Sequence, residues 1–174
     1  MSEQPSVTST QYLSFILAGE EYALGILRVK EIIEYDTVTR VPGTPVWVRG
    51  VFNLRGSVVP VVDLAVKLGT APSPLSRWSC IVVVEVKLGG EHIVLGLLAD
   101  AIGQVMELGP GDVLPPPAFG TPIHGDYLLG MGRLGTDRKF VLLLDIDKVL
   151  NNQEVLTASA LRPPVDAGSS GTAA

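Results

Sequence analysis

Cysteine is nearly missing: Cys80 stands alone in 174 residues. A single thiol excludes an internal disulfide and suits a reducing cytosol. Histidine is almost as scarce, and His92 and His124 lie too far apart for metal-ligand spacing. Basic clusters are absent and the net charge is −5. Nucleic-acid binders usually carry a basic stripe, so that class is excluded. No uninterrupted apolar stretch approaches the ~20 residues that a membrane helix requires, so no membrane insertion is expected. No basic segment leads into an apolar one at the N-terminus, so no signal peptide is expected either. Glycine is abundant, but neither G-x-x-x-x-G-K-[ST] nor G-x-G-x-x-G precedes a helix.

What is present is apolar and β-branched. Hydrophobic residues make up 47% of the chain, which is long enough to bury a sizeable core. Residues 41–64, VPGTPVWVRGVFNLRGSVVPVVDL, are the most informative stretch. Pro42 and Pro45 resist helix and hold the entry extended. Valine is the commonest residue of the stretch and favours pleated, half-buried strands. Two apolar runs joined by Asn53-Leu54-Arg55-Gly56 read as a β-hairpin, with Arg55 near its tip and Gly56 free to take positive φ.

The rest of the chain reads as further strands. YLSFILA at 12–18 alternates, Gly19 turns the chain, and Tyr22 to Ile26 pairs back. LRVKEIIEY at 27–35 is ambiguous between helix and a short turn followed by a strand, and AIGQVMEL at 101–108 has the same spacing. CIVVVEVKL and HIVLGLLAD are strands around Gly89-Gly90. Residues 109–125 hold five prolines and are not regular throughout. Residues 126–134 and 138–146 form a last hairpin, and Asn152 is an N-cap candidate in a short helical segment at 147–160. The chain also repeats itself. Gly19-Glu20 with Leu24-Gly25-Ile26-Leu27 is echoed by Gly90-Glu91 with Leu95-Gly96-Leu97-Leu98. Gly50-x-x-x-Leu54 before PVVDL is echoed by Gly130-x-x-x-Leu134 before LLLDI. Two similar all-β units of about five strands are expected, packed on each other and divided near residues 65–80.

No catalytic constellation emerges. His92 sits in strand alternation, where a structural or surface role outweighs ligation. Cys80 opens an apolar strand and reads as a small buried hydrophobe rather than a nucleophile. Asp63 and Asp145 occupy equivalent repeat positions, which favours capping or turn roles over paired acid–base work. Binding residues are the better search. Arg55 is a forked, permanently charged donor on a turn, against the plain alternative of a solvated hairpin arginine. Glu31 and Glu34 lie on a polar face, where Glu34 reads as solvated. Phe119 follows three consecutive prolines and is either a plug into a local core or an exposed anchor for a partner.

NLRGSVVPVVDL, preceded by P-x-x-V-x-G-V, is similar to the signature of CheW-type coupling proteins of bacterial chemotaxis. EEYALGILRVKEIIEYDTVTRVPGTP, LLGMGRL and KFVLLLDIDKVL fit the same family in order, so the resemblance runs over roughly residues 11–156. It implies an all-β fold of two packed five-stranded, SH3-like β-barrels with a short C-terminal helix. The domain would occupy 12–156, with subdomains at about 12–68 and 78–146, between a disordered lead at 1–11 and a disordered tail at 161–174. It also implies a non-catalytic, cofactor-free cytoplasmic adaptor at receptor arrays on the inner membrane. Its partners would be the regulatory domain of a CheA-type histidine kinase and the cytoplasmic tip of methyl-accepting chemoreceptors. The candidate partner-binding residues are Val29, Glu31, Gly50, Arg55, Gly56 and Val82, together with Phe119 from its loop position. Glu31 matches the glutamate of V-x-E-I and would pair with Arg55 or with a partner. Ala65 departs from the family, which often has arginine after DL, so a contact is missing here. The rivals are an adaptor of another chemosensory output such as surface motility, and a small ligand-binding or enzymatic β-barrel with a cavity between the units.

Overall fold

The computed structural model describes residues 9–88, 90–116, 127–133 and 139–150. Alternation of apolar and polar side chains produces strands over most of that length. Hairpin β1 (Thr10–Leu17) and β2 (Glu20–Gly25) buries Leu13, Phe15 and Leu17. A 3₁₀ turn at Ile26–Arg28 leads into β3 (Val29–Glu34), which settles the ambiguous segment as a turn followed by a strand. Then come β4 (Val48–Leu54), β5 (Ser57–Asp63) and a single helical turn, α1 (Leu64–Lys67). The second half holds β6 (Cys80–Leu88), β7 (Glu91–Ala99) and β8 (Ala101–Leu108). A two-residue strand β9 (Val113–Leu114) lies in the proline-rich stretch, where no strand is expected from sequence. β10 (Leu128–Arg133), β11 (Phe140–Leu144) and the helical turn α2 (Ile146–Val149) follow. Asn152 and the rest of the expected helical segment lie outside the described residues.

The strands form two sheets, of six in the order β8-β1-β2-β11-β10-β9 and of five in the order β3-β6-β7-β5-β4. The all-β expectation holds, but the sheets do not follow the division near residues 65–80. Hairpin β1–β2 from the first half sits with β8, β10 and β11 of the second, and hairpin β6–β7 sits with β3, β4 and β5. The two halves have exchanged their leading hairpins. Alternation fixes which face of a strand is buried but not which strand it pairs with. Two hairpins of similar sequence can therefore trade places. In each sheet the exchanged hairpin joins the other half through a parallel pair, β5 with β7 and β11 with β2.

Three apolar cores result. The largest lies between the sheets and joins Leu13, Phe15 and Leu24 to Val82, Leu95 and Leu97, with Ile146, Val149 and Leu150 alongside. A second lies on the other face of the five-stranded sheet, around Phe52, Val61, Ile81 and Leu98. A third gathers Ala23, Met106, Val141 and Leu143 on the other face of the six-stranded sheet. β6 contributes to two cores at once, which explains its nearly unbroken apolar run. Each fully buried aliphatic side chain contributes about 1.5–3 kcal/mol, so the exchange is held by hydrophobic burial on both faces.

Both sheets bend round at a glycine. The chain leaving β3 returns along β4, where the Thr39 and Val51 amides donate to each other's carbonyls at 2.8 Å. The chain leaving β8 returns along β10 as β9, with Met131 opposite Leu114. The register of β4 shifts between Val48 and Gly50, and that of β10 between Leu128 and Gly130. A Cβ at Gly50, whose φ is +150°, would lie 2.2 Å from the Thr39 carbonyl oxygen. A Cβ at Gly130 would lie 2.5 Å from that of Leu114. Gly50→Ala and Gly130→Ala should each lower stability by about 1–3 kcal/mol in urea unfolding. Gly25→Ala, whose added carbon meets nothing within 4 Å, should be nearly neutral by comparison. Equal effects at all three positions would contradict the close-approach role.

Candidate partner-binding site

Arg55 and Gly56 form the two-residue loop between Leu54 and Ser57, which face each other across the hairpin. Their φ values are +50° and +92°, as a type I′ loop requires at both central positions. The Gly56 amide donates to Asn53 Oδ1 at 2.7 Å. Asparagine or glycine is the ordinary choice at the first position, so an arginine there holds a left-handed backbone at a conformational cost. Its side chain is 72% exposed and reaches across to β3, donating through both terminal nitrogens to the Glu31 carboxylate. Those hydrogen bonds raise the already high Arg55 pKa, so the charge is permanent. The pair lines a hollow of about 300 Å³ whose walls also include Lys30, Leu54, Val58 and Val94.

The other candidates fall into different environments. Val29 is half-buried against the inter-sheet core. Gly50 is buried beneath Thr39, so it acts on the backbone and offers no surface. Val82 is buried on β6, and so is Ile81 on the opposite face, so that strand presents neither to a partner. Partner-facing positions for Gly50 and Val82 are therefore corrected: β6 lies inside its sheet with both faces covered. Phe119 and His124 lie outside the described residues. Glu34 is exposed, as its polar face suggests. His92 Nδ1 sits 2.5 Å from Glu85 Oε2 at the surface, with Lys30 Nζ 3.4 Å from the other carboxylate oxygen.

A second feature is not read from the sequence. A groove of about 840 Å³ opens at one end of the six-stranded sheet, between the start of β1, the 3₁₀ turn, β10 and α2. Tyr12, Ile26, Leu27, Leu129 and Ile146 line it. Leu27 is 96% exposed and Leu129 52%. The local signal is the adjacent pair Leu128-Leu129, since neighbouring side chains of a strand point to opposite faces. One wall is held by Arg28, which forks onto the Asp147 carboxylate through both terminal nitrogens and donates to the Glu85 carbonyl at 3.2 Å. The Lys87 amide donates to the same carboxylate at 3.2 Å.

Asp63 is almost fully buried and caps α1: its carboxylate accepts from the Val66 amide at 3.5 Å and from the Ser73 amide at 3.3 Å. Arg49 Nε lies 3.4 Å away from it, close enough for charge attraction though not aligned as a hydrogen bond. Asp145 holds the equivalent position before α2, but its side chain accepts no capping hydrogen bond. Among the described residues no group of three or more histidine, cysteine and acidic side chains could hold a metal ion. Burial, with Asp100 nearby, pushes the Cys80 thiol up to about 11.

Two outcomes follow from these groups. Cys80 should react slowly with iodoacetamide at neutral pH in the folded protein and rapidly in denaturant, because the nucleophilic thiolate is scarce and enclosed. Fast labelling of the native protein would contradict its burial. For Asp147, burial alone would raise the pKa, but hydrogen bonds from Arg28 and the Lys87 amide bring it below the ordinary carboxylate value of 3.8. A depressed carboxylate stabilises the fold above its unfolded pKa and loses that contribution as pH falls through the folded one. Asp147→Asn should therefore cost about 1–3 kcal/mol at neutral pH, and the gap to the native protein should shrink below about pH 4 in urea unfolding. A pH-independent gap would contradict the ion pair's role.

Comparisons with known proteins agree on a family. A family model described as the CheW-like domain matches residues 11–154. Chemotaxis protein CheW of Klebsiella aerogenes is 38% identical over 145 residues, covering 83% of this chain and 84% of that protein. Protein PilI of Pseudomonas aeruginosa is 34% identical over 132 residues, covering 72% and 71%. The crystal structure of scaffolding protein TtCheW from Thermoanaerobacter tengcongensis matches with a TM-score of 0.73 at 28% identity, over 88% of this chain and 96% of that one. The chain belongs to the CheW-like domain family.

Proposed function

We infer that this chain is a chemotaxis coupling adaptor that links chemoreceptors to a CheA-type histidine kinase and acts by contact alone. The observation that carries this reading is the CheW-like match over residues 11–154. It is supported by a chain whose chemistry-bearing groups are spent on structure: Asp63 caps a helix, Cys80 is buried, and His92 is paired at the surface. No helix of the described residues is long and apolar enough to cross a membrane. The adaptor is cytoplasmic and sits at receptor arrays on the inner membrane. It needs no cofactor.

The groove beside Leu27 and Leu129 suits a helix. β1 and β2 are hydrogen-bonded on both sides, and so is β10. β1 is paired along both sides, and β2 and β10 each keep only a short stretch free on one side, so among the described residues an extended peptide finds little strand edge to pair with. Side-chain docking remains, and an amphipathic helix presents apolar anchors at i, i+3, i+4 and i+7 to such a groove. The tip of a chemoreceptor is a helical hairpin with this character, and the kinase regulatory domain takes one of the two β units. Arg55 and Glu31, paired on the five-stranded sheet, belong to the receptor-contact region. A second reading, an adaptor of a related chemosensory output such as surface motility, is supported by the 34% identity to Protein PilI.

The test is capture of both partners, a two-helix chemoreceptor tip fragment and the kinase regulatory domain, by the purified chain. Arg55→Ala should leave the thermal midpoint almost unchanged, since its side chain is largely hydrated. It should weaken receptor-fragment binding by about tenfold or more, as loss of one partner of a desolvated interfacial pair does. Unchanged receptor affinity would overturn the assignment of Arg55, and failure to capture either partner would overturn the adaptor itself.

A further inference from the structure

The groove carries unbalanced charge. One guanidinium, Arg28, and three carboxylates, Glu107, Asp145 and Asp147, line it. Arg28 is committed to Asp147, and that pair also holds the Glu85 carbonyl and the Lys87 amide. Asp145 is near enough to Arg28 to raise its pKa further, yet its carboxylate accepts no hydrogen bond among the described residues. Glu107 is exposed on β8 and likewise has no ion-pair partner among them. Two carboxylates are thus left facing the same groove as the exposed Leu27 and Leu129, with no ion-paired cation of their own among the described residues.

We propose that the groove selects a helix carrying a lysine or arginine within one turn of its apolar stripe, with Leu27 and Leu129 taking the stripe and Glu107 and Asp145 the cation. This rests on the helix-in-groove reading above and names what that helix must carry. On a helix, residues three or four apart are neighbours, so a cation can flank an apolar anchor on the same face. A helix with glutamate at that place meets two like charges and is rejected, so the carboxylates act on specificity as well as affinity. The attraction is between charges at a solvent-facing rim, so it weakens as salt shortens the screening length.

The experiment measures affinity of the full chain for the two-helix chemoreceptor tip fragment at low and high salt. The variants are Glu107→Gln with Asp145→Asn, Leu27→Ser with Leu129→Ser, and a fragment whose groove-facing lysine or arginine is changed to glutamine. The carboxylate double variant should bind about three- to tenfold more weakly at low salt and about equally at high salt. The fragment variant should lose a similar factor, and combining it with the carboxylate variant should add little further loss. The leucine double variant should lose affinity at both salts. Loss with the leucines but none with the carboxylates would overturn cation selection and leave helix docking standing. No loss with the leucines would overturn the docking itself, and cation selection with it.

Discussion

The structure depends on two places where a side chain cannot be. At Gly50 and Gly130 the backbone of the returning chain comes so close that even a methyl group would collide with a carbonyl oxygen. Each glycine lets one sheet bend so that its first and last strands are neighbouring pieces of chain. Only then do the sheets present their opposite faces to separate cores. The inter-sheet core draws on both, and the exchanged hairpins β1–β2 and β6–β7 cross between the halves. The fold is therefore not two units that meet at a surface. Each sheet contains strands of the other half, and separating them would unpair β2 from β11 and β7 from β5.

This architecture places function at the margins. The interior of β6 and β7 is closed on both faces, so recognition falls to loops, turns and sheet ends. Arg55 stands at a turn that tolerates it only at a conformational cost, and Leu27 stands almost bare at the middle of a 3₁₀ turn. A polar arm at one mouth and an apolar groove at the other suit a protein that holds partners rather than transforms them. The pair Arg28–Asp147 stiffens the groove wall by tying the turn to α2, so the leucines are held on a firm frame.

Strand positions were legible in the sequence because period-two alternation is a local property. Cys80–Leu88 and the hairpin around Arg55-Gly56 are found where their residues indicate. Pairing was not legible. The internal echo that announced two similar units also made their hairpins interchangeable, and nothing local distinguishes β1–β2 beside β3 from β6–β7 beside β3. The site was legible in part. Glu31 and Arg55 meet, as their charges allow. Gly50 and Val82 were assigned to a surface by family resemblance alone, whereas the packing buries them. A groove for the receptor tip is what the family resemblance implies, but its lining was not legible because its walls come from residues more than 100 positions apart, from Tyr12 to Ile146. Leu128-Leu129 carried the only local hint.

The most direct measurement is kinase autophosphorylation in a reconstituted system of receptor-bearing membranes, CheA-type kinase and this chain. A contact-only adaptor leaves the isolated kinase unchanged, turns over no nucleotide itself, and makes kinase activity respond to receptor ligand only when all three are present. Receptor control of the kinase that is equally strong without the chain, or nucleotide turnover by the chain alone, would contradict it.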